Sequence, residues 1–387
     1  MILWRKGLVV NVLEERSGMQ VLQVQTDRLM HPAEGGTIVH GEVSVRAVHY
    51  TDVLPKAAPG DEVMLNGTAS VMGLGTGGVD FVAGFCGISE GKQLSVPVKL
   101  PDDPREAGHL MKLRYTPLQR AVVSVEAPES PHHGLFQEPL SLCGTPVLIG
   151  ELHSMLPAAV CRIRQQQPGA SVAYVMTDGG ALPAAFSRHI AALRGLGWLR
   201  GTVTCGHAYG GDLEALNKFT ALLAAKHVLG ADIIIAAMGP GIAGTGTEFG
   251  HTGMETAELI HAAAALGGQP VLMPRLSGGD SRARHQGVSH HLRTVLTKAA
   301  LAPAAVPLPG GLAPQEQQRL AQELGAAGQP HVRHAFPRMP HIAQEEIRLS
   351  QADYPIAVTT MDRGLADDPI FFEAVCASAD YALSRLP

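Results

Sequence analysis

The chain has few aromatic residues, no paired cysteines and no long apolar run. Aromatic side chains make up 4% of its 387 residues, whereas glycine and proline number 44 and 27, a composition of many turns and of Ala, Leu and Val packing. The five cysteines are scattered and never form a CxxC pair. This spacing argues against a disulfide framework or a cysteine zinc site and favours a reducing cytoplasm.

Two further absences narrow the class of protein. No stretch reaches the length of about eighteen apolar residues that a membrane helix needs, and the apolar segment after Arg5 and Lys6 is interrupted at Asn11, which makes a poor signal peptide. The formal net charge of -5 provides no overall basic field for nucleic acid. We therefore expect a cytoplasmic protein that binds neither membranes nor nucleic acids.

The patterning predicts two domains. Residues 1–100 contain short segments of period-two alternation, typical of a small β-barrel or sandwich. Residues 146–387 repeat strand-like and helix-like segments, which predicts an α/β domain with a parallel, doubly wound (Rossmann-like) sheet. Residues 101–145 connect the two. This connector is either an interdomain strand with a solvated loop or a segment that donates cations to the mouth of the α/β domain.

Seven segments of the α/β domain are predicted strands: residues 146–150, 171–177, 201–205, 232–238, 269–273, 305–308 and 354–360. Each precedes a predicted helix: residues 155–166, 184–195, 213–229, 252–266, 290–301, 314–324 and 369–386. Residues 325–349 show no clear pattern. In parallel sheets of this kind, ligands bind beyond the carboxyl ends of the strands.

A glycine-rich loop follows the fourth predicted strand. It holds five glycines between Gly239 and Gly250 and leads into a helix, an arrangement that presents backbone N–H groups to an anion or phosphate. The dinucleotide pattern GxGxxG matches by letter, but the acidic residue that should follow would be Glu258, inside the next helix, so a dinucleotide fold is only weakly indicated. No GxxxxGK[ST] is present, which excludes a P-loop NTPase. A second glycine-rich segment, residues 73–78, has no helical pattern after it, which disfavours phosphate binding there.

Polar residues gather after the predicted strands. The predicted anion-binding residues are Gly241, Gly244, Thr245, Gly246, Arg282 and Arg284. The predicted proton-transfer residues are His207 or His285, oriented by Asp178 or Asp212. Each alone has an ordinary structural explanation, such as a turn or a helix N-cap. Their coincidence on one edge of a sheet indicates a ligand site.

Two other chemistries stay open. His285, His290 and His291 with Asp280 supply metal-ligand types, although without the HExxH spacing of a zincin. Cys205 lies just before His207 and is a conceivable nucleophile, but no Cys/His pattern accompanies it and core packing is favoured.

Four motifs carry a family resemblance: residues 74–78, 108–119, 178–183 and 285–291. Together they resemble an uncharacterised bacterial family, domain-of-unknown-function family 3866, along the full length of the chain. The resemblance implies a two-part bacterial cytoplasmic protein and no particular activity.

The sequence thus predicts a protein that binds a small anionic molecule, phosphorylated or nucleotide-like, and that catalyses transfer or hydrolysis. A non-catalytic ligand sensor or interaction protein is one alternative, and a metal-dependent hydrolase is another. The cofactor and the oligomeric state are left open.

Overall fold

The structure is a computed structural model that describes residues 3–29, 38–71, 78–87, 108–115, 118, 120–326 and 332–386. The chain divides into two compact units, Met1–Asp102 and Asp103–Pro387. Residues 73–77 of the second glycine-rich segment and residues 101–107, 116, 117 and 119 of the connector lie outside the described residues.

The first unit is a closed barrel of five strands in the order β1-β2-β3-β5-β4. Its strands are β1 (Trp4–Arg16), β2 (Met19–Leu29), β3 (Ile38–Tyr50), β4 (Glu62–Asn66) and β5 (Asp80–Gly87), with a short helix, α1 (Thr68–Val71). Along the first half of β1 buried and exposed residues alternate, because successive side chains of a strand point to opposite faces. The inward side chains, among them Val9, Leu22, Val24 and Leu65, form the barrel core.

The second unit is built on a six-stranded sheet whose strand pairs are all parallel. The strands are β8 (Pro146–Gly150), β9 (Val172–Thr177), β10 (Gly201–Cys205), β11 (Leu213–Ala215), β12 (Ile233–Met238) and β13 (Gln269–Leu272), in the order β11-β10-β9-β12-β8-β13. Two small antiparallel pairs accompany it: β6 (Leu110–Lys112) with β7 (Arg120–Val122), and β14 (Leu276–Ser277) with β15 (Gly287–Val288).

Helices cover both faces of this sheet. They are α2 (His133–Phe136), α3 (Met155–Gln166), α4 (Arg188–Gly195), α5 (Lys218–His227), α6 (Glu255–Ala265), α7 (His290–Thr294), α8 (Pro314–Ala326), α9 (Gln344–Ser350) and α10 (Pro369–Leu383). Side chains of α5, α6 and α7 lie in one apolar core, and those of α3, α4 and α10 lie in the other. The central strands are buried along their whole length, which is why they read as unbroken apolar runs.

The chain reverses its direction across the sheet once. It runs from β8 through β9 and β10 to β11 with α3 and α4 on one face, then returns through α5 and α6, on the other face, to β12 and β13. Right-handed crossovers require helices to change face when the direction reverses. The sequence-based prediction of a doubly wound parallel α/β sheet with a small N-terminal β-barrel is therefore confirmed.

The strand order separates this sheet from the dinucleotide-binding fold. In that fold the second strand lies beside the first, and the glycine-rich turn follows the first strand. Here β12 lies between β8 and β9, and the glycine-rich loop follows β12. The GxGxxG match is therefore not a dinucleotide fingerprint.

Two predicted strands are absent. Residues 305–308 form only isolated bridges, to Val271, Ala335 and Arg338, because the prolines at 303, 307 and 309 lack the N–H that a ladder requires. Residues 354–360 form no strand and make one bridge, at Thr360. Their apolar side chains Tyr354, Ile356 and Val358 pack on the α3 face of the sheet instead.

Two predicted helices differ in detail. The segment predicted as one helix over 213–229 begins with strand β11, and α5 starts only after Asn217, whose side chain accepts hydrogen bonds from the N–H groups of Phe219 and Thr220. The segment predicted over 290–301 is α7 followed by a π-helical turn, Val295–Ala299. Among the described residues, no helix combines the length and the apolar character needed to cross a membrane.

Candidate functional site

A pocket lies where three strands of the sheet end. Glu151 directly follows β8, the glycine-rich loop follows β12, and Arg275 comes three residues after β13. The pocket has a volume of about 340 Å³ including its open mouth. Its lining residues are Ile242, Ala243, Gly244, Gly246, Arg275, Arg282, Arg284, His285, His291 and Met361.

A buried ion pair lies beneath the pocket. Arg275 Nη1 donates to Glu151 Oε1 at 3.0 Å, and the two residues are only 3% and 4% exposed. His291 Nδ1 lies 3.5 Å from the other carboxylate oxygen of Glu151. Burial by itself raises the pKa of Glu151, but the hydrogen bond with His291 and the charge of Arg275 outweigh it and hold that pKa below its ordinary value. The pair is therefore a carboxylate and a guanidinium at neutral pH.

The loop between β14 and β15 supplies the cationic wall. Arg282 Nε and Nη2 donate to the two oxygens of buried Asp280, at 2.9 and 2.7 Å, and Arg363 lies 3.3 Å from the same carboxylate. The hydrogen bonds from Arg282 lower the pKa of Asp280 well below its ordinary range. Arg284 is exposed and forms no ion pair with any described residue. Asp280 thus pairs with Arg282 and Arg363 and lies 3.9 Å from Arg275 as well, while Arg284 has no carboxylate partner among the described residues.

The glycine-rich loop forms the opposite wall. It is closed by hydrogen bonds from the N–H of Thr245 to the carbonyl of Gly250 (2.7 Å) and from the N–H of Thr252 to Ala243 (2.9 Å). The N–H groups of Gly244 and Gly246 donate to no group in the described part of the chain. The φ of +77° at Gly246 is one that L side chains rarely adopt. Both glycines line the pocket, and their N–H groups have no acceptor among the described residues.

Four histidines crowd one side of the pocket. One ring nitrogen from each of His285, His290 and His291 lies within 4.8 Å of the other two, and His251 stacks on His291 with ring centroids 3.8 Å apart. Burial lowers the pKa of His285 to about 3 and that of His251 to about 4. Both imidazoles are therefore neutral at pH 7.

The pocket brings together half of the residues predicted from the sequence. Gly244, Gly246, Arg282, Arg284 and His285 line it. Gly241 and Thr245 belong to the same loop but not to the lining. The Thr245 hydroxyl is hydrogen-bonded to Thr247 and to the carbonyl of Gly250, so it shapes the loop.

The other predicted residues lie outside the lining. Asp178 accepts a hydrogen bond from the backbone N–H of His207 at 3.0 Å, while the His207 ring accepts from the N–H of Leu113, so this carboxylate does not contact the imidazole. Asp212 accepts from the N–H of Thr202 at the start of β10 and forms an ion pair with Arg194. Burial raises the pKa of Cys205 to about 12, which keeps that thiol protonated.

Two residues beneath and around the pocket, Glu151 and Arg275, were not among the predicted site residues, and His291 was considered only as a metal ligand. Only their position in the sequence could have identified them, because Glu151 and Arg275 follow the ends of two strands that are neighbours in the sheet. Met361 was also missed. Its φ of 47° and that of 64° at Asp362 are positive, and such backbone strain in non-glycine residues occurs often at functional sites.

Gly180 allows the loops after β9 and β12 to meet. A Cβ at this position would lie 2.3 Å from the carbonyl oxygen of Gly239, and the neighbouring Ala181 N–H donates to the carbonyl of Pro240. We expect Gly180→Ala to lower the free energy of unfolding by about 1–3 kcal/mol, as other overpacked sites do. Gly169→Ala is the control, since its added Cβ meets nothing within 4 Å. Equal stability of the two variants in urea denaturation would contradict this contact.

A separate buried histidine predicts acid sensitivity. His153 is hydrogen-bonded to Ser187 Oγ at 2.6 Å, and burial lowers its pKa to about 3, with His189 adding to the effect. Protonation therefore favours the unfolded chain, so the stabilising contribution is complete above pH 6.5 and is lost as the pH falls towards 3. Between pH 7 and pH 5 this histidine should account for a loss of about 2 kcal/mol. Urea denaturation of His153→Gln should show a shallower pH slope by that amount, and an unchanged slope would refute the assignment.

The fold and the pocket define a protein with a β-barrel unit and a doubly wound α/β unit that carries an arginine- and histidine-lined pocket. The chain belongs to the family DUF3866, described as a protein of unknown function, whose family model matches residues 46–379. The matched range includes the whole pocket and leaves out β1 and β2. No curated protein and no solved structure is significantly similar to this chain.

Proposed function

We propose that the pocket binds a small molecule through an anionic group, of the phosphorylated or nucleotide-like class. The observation that carries this proposal is Arg284, which is exposed, forms no ion pair with a described residue and shares one pocket with Arg282 and with the free N–H groups of Gly244 and Gly246. Guanidinium groups and backbone N–H donors are the groups that proteins use most for phosphate and carboxylate oxygens.

The charge balance supports an anion. Arg275, Arg282 and Arg284 line the pocket, whereas the carboxylates in contact with them are those of Glu151 and Asp280. Asp280 is shared with Arg363 as well. With His251 and His285 neutral, the charged groups of the pocket leave an excess of positive charge. Arg282 binds Asp280 through Nε and Nη2, which leaves Nη1 for a ligand, whereas the whole guanidinium of Arg284 is available to two anionic oxygens.

His285 gives the same pocket a proton acceptor for transfer or hydrolysis. Its low pKa has burial as the first cause and the charges of Arg275 and Arg282 as the next. A bound anion would offset those charges and raise the pKa of His285 towards neutrality. Proton transfer by His285 would therefore depend on the ligand.

We also propose a cytoplasmic location, on the basis of cysteines that are all free.

A thermal-shift screen tests the class of ligand. The full chain is heated with phosphate, pyrophosphate, nucleotides, dinucleotides and uncharged nucleosides, each with and without Mg²⁺. A ligand at one hundred times its dissociation constant adds about 2.7 kcal/mol, a shift of a few degrees. The proposal requires stabilisation by phosphorylated compounds and none by the nucleosides. Equal responses to both would contradict it.

Arg284 provides the sharpest test by mutation. Arg284→Ala removes one charge-assisted hydrogen bond to the ligand, worth about 1.5–3 kcal/mol, so the affinity for pyrophosphate should fall roughly tenfold to a hundredfold. The fold should be unaffected because the side chain is exposed. Arg188→Ala is the matched control, since Arg188 is also exposed and does not line the pocket. Equal losses in both variants would point to nonspecific charge effects.

A further inference from the structure

We infer that His285, His290 and His291 form a binding site for one divalent transition-metal ion of the Zn²⁺ class. The three side chains each offer a ring nitrogen, and these nitrogens lie within 4.8 Å of one another. Two of the three residues, His285 and His291, also line the pocket. The inference goes beyond the anion site, because it stands on the imidazoles and not on the arginines.

A single serine fixes the two segments that carry these histidines. Ser289 is the N-cap of α7, and its hydroxyl accepts from the backbone N–H of His291 at 3.2 Å. The same hydroxyl is hydrogen-bonded to His285 Nδ1 at 2.9 Å. His285 therefore has Nε2 left for a ligand, and with an ion bound there this nitrogen is no longer a proton acceptor. A histidine held through one nitrogen while the other binds the ion is the usual arrangement at metal sites.

His291 has a comparable outer contact. Its Nδ1 lies 3.5 Å from Glu151 Oε2, and its Nε2 points to the glycine-rich loop, 3.4 Å from the position of a Cβ on Gly244. A carboxylate behind a histidine fixes the ring orientation and makes the imidazole a better ligand. Asp280, which the sequence offered as a further ligand, is instead bound by Arg282 and Arg363.

Unpartnered imidazole nitrogens supply the independent observation. His290 Nε2 is buried and has no hydrogen-bond partner in the described structure, and the same holds for both ring nitrogens of His251. His251 is 7% exposed and lies flat against His291. Buried polar atoms nearly always have a partner, so such a group of exceptions calls for a missing one. A metal ion bound by the neighbouring imidazoles accounts for the nitrogen of His290 directly and gives His251 a polar neighbour.

The number and type of ligands indicate the ion. Zn²⁺ binds three protein ligands and keeps a fourth position open in catalytic sites, with Zn–N distances of about 2.0–2.1 Å. Tetrahedral geometry at these distances places the nitrogens about 3.4 Å apart, so the rings would draw together by up to about 1.5 Å on binding. The open position would border the pocket, because His285 and His291 line it. A bound anion and the metal ion would then strengthen each other's binding.

Cobalt and zinc titrations test the site. Chelator-treated full-length protein is titrated with Co²⁺, whose visible spectrum reports tetrahedral nitrogen ligation, and Zn²⁺ is then added as a competitor. We expect one ion per chain, displacement of Co²⁺ by Zn²⁺, and at least a tenfold loss of Co²⁺ affinity in His290→Asn and in His291→Asn. The control is His261→Asn, a half-buried histidine of the same unit outside the cluster, which should bind Co²⁺ like the wild type.

Two results would overturn the site: no saturable Co²⁺ binding by the wild type, or wild-type affinity in both cluster variants. Circular dichroism of each variant reports folding. If His291→Asn does not fold, the test rests on His290→Asn, because His290 is only half-buried.

Titration with pyrophosphate in the presence of chelator separates the two proposals. If the protein binds pyrophosphate but not Co²⁺, the anion site is supported and the metal site is refuted. If it binds Co²⁺ but not pyrophosphate, the metal site is supported and the anion site is refuted.

Discussion

Replacing Glu151 with glutamine is expected to lower the free energy of unfolding of the α/β unit by about 3–5 kcal/mol, the typical cost of removing one partner of a buried ion pair. Glu151 and Arg275 are almost inaccessible to solvent and 3.0 Å apart. The amide has nearly the same shape as the carboxylate, so the loss reports charge and not packing. Urea denaturation followed by Trp198 fluorescence in a Trp4→Phe background measures it, because Trp4 and Trp198 are the two tryptophans of the chain.

The matched control is Glu345→Gln. Glu345 pairs with Arg348 on the surface of α9, and both side chains are 63% exposed. An exposed pair of this kind contributes little to stability, because water and salt screen its charges. If Glu151→Gln costs no more than Glu345→Gln, the buried pair beneath the pocket is not ionised as described here.

Replacing Lys112 with methionine is expected to cost a similar amount, about 3–5 kcal/mol at neutral pH. Lys112 is 1% exposed, and its ammonium donates to the carbonyls of Ala208 and Ala215 and pairs with Glu214 at 3.3 Å. Methionine fills the space of the side chain but leaves the Glu214 carboxylate without its cation. Denaturation in urea against Lys6→Met, which removes an exposed cation paired with Glu62, measures the difference.

The Lys112 variant has a second signature in its pH dependence. Burial is the largest cause of a raised pKa at Glu214, and Lys112 opposes it. Without the lysine this pKa rises further, so ionising Glu214 in the folded variant costs more, and that cost grows as the pH rises. The variant therefore loses more stability at pH 8 than at pH 5. A loss that is equal at both values would mean that Glu214 is not the group affected.

Lys112 shows what one part of the connector contacts. The sequence left two interpretations of residues 101–145, an interdomain strand with a solvated loop or a donor of cations to the pocket. Lys112 anchors its segment to β11, and Val125 and Leu142 lie in the core of the α/β unit. His109 pairs with Glu129. Neither Lys112 nor His109 lines the pocket.

Most strands could be predicted because they are buried on both faces. Strand β12, which begins with Ile233, Ile234 and Ile235, has no polar residue, and such an apolar run can be recognised in a single sequence. The strand order could not be predicted, because the insertion of β12 between β8 and β9 depends on tertiary crossovers. The false strand at 305–308 has the right apolar content, but its prolines allow only single bridges.

The candidate site was predictable where its residues are close in sequence. Arg282, Arg284 and His285 lie within four residues and were recognised together. The pairing of Glu151 with Arg275 spans 124 positions and depends on β8 and β13 being neighbours. Asp212 was predicted to lie at the carboxyl edge of the sheet because strand β11 was not predicted. Asp212 directly precedes β11 and therefore lies at the amino edge, where it accepts from Thr202 near the start of β10.

Arg284 and its neighbours should make this pocket an anion site. Isothermal titration of the full chain with pyrophosphate, at two salt concentrations and in the presence of chelator, tests this with the charge-reversal variants Arg284→Glu and Arg188→Glu. We expect saturable binding of one pyrophosphate by the wild type and by Arg188→Glu, weaker at high salt, and no measurable binding by Arg284→Glu. If Arg284→Glu binds like the wild type, or if the wild type does not bind, the pocket is not an anion site.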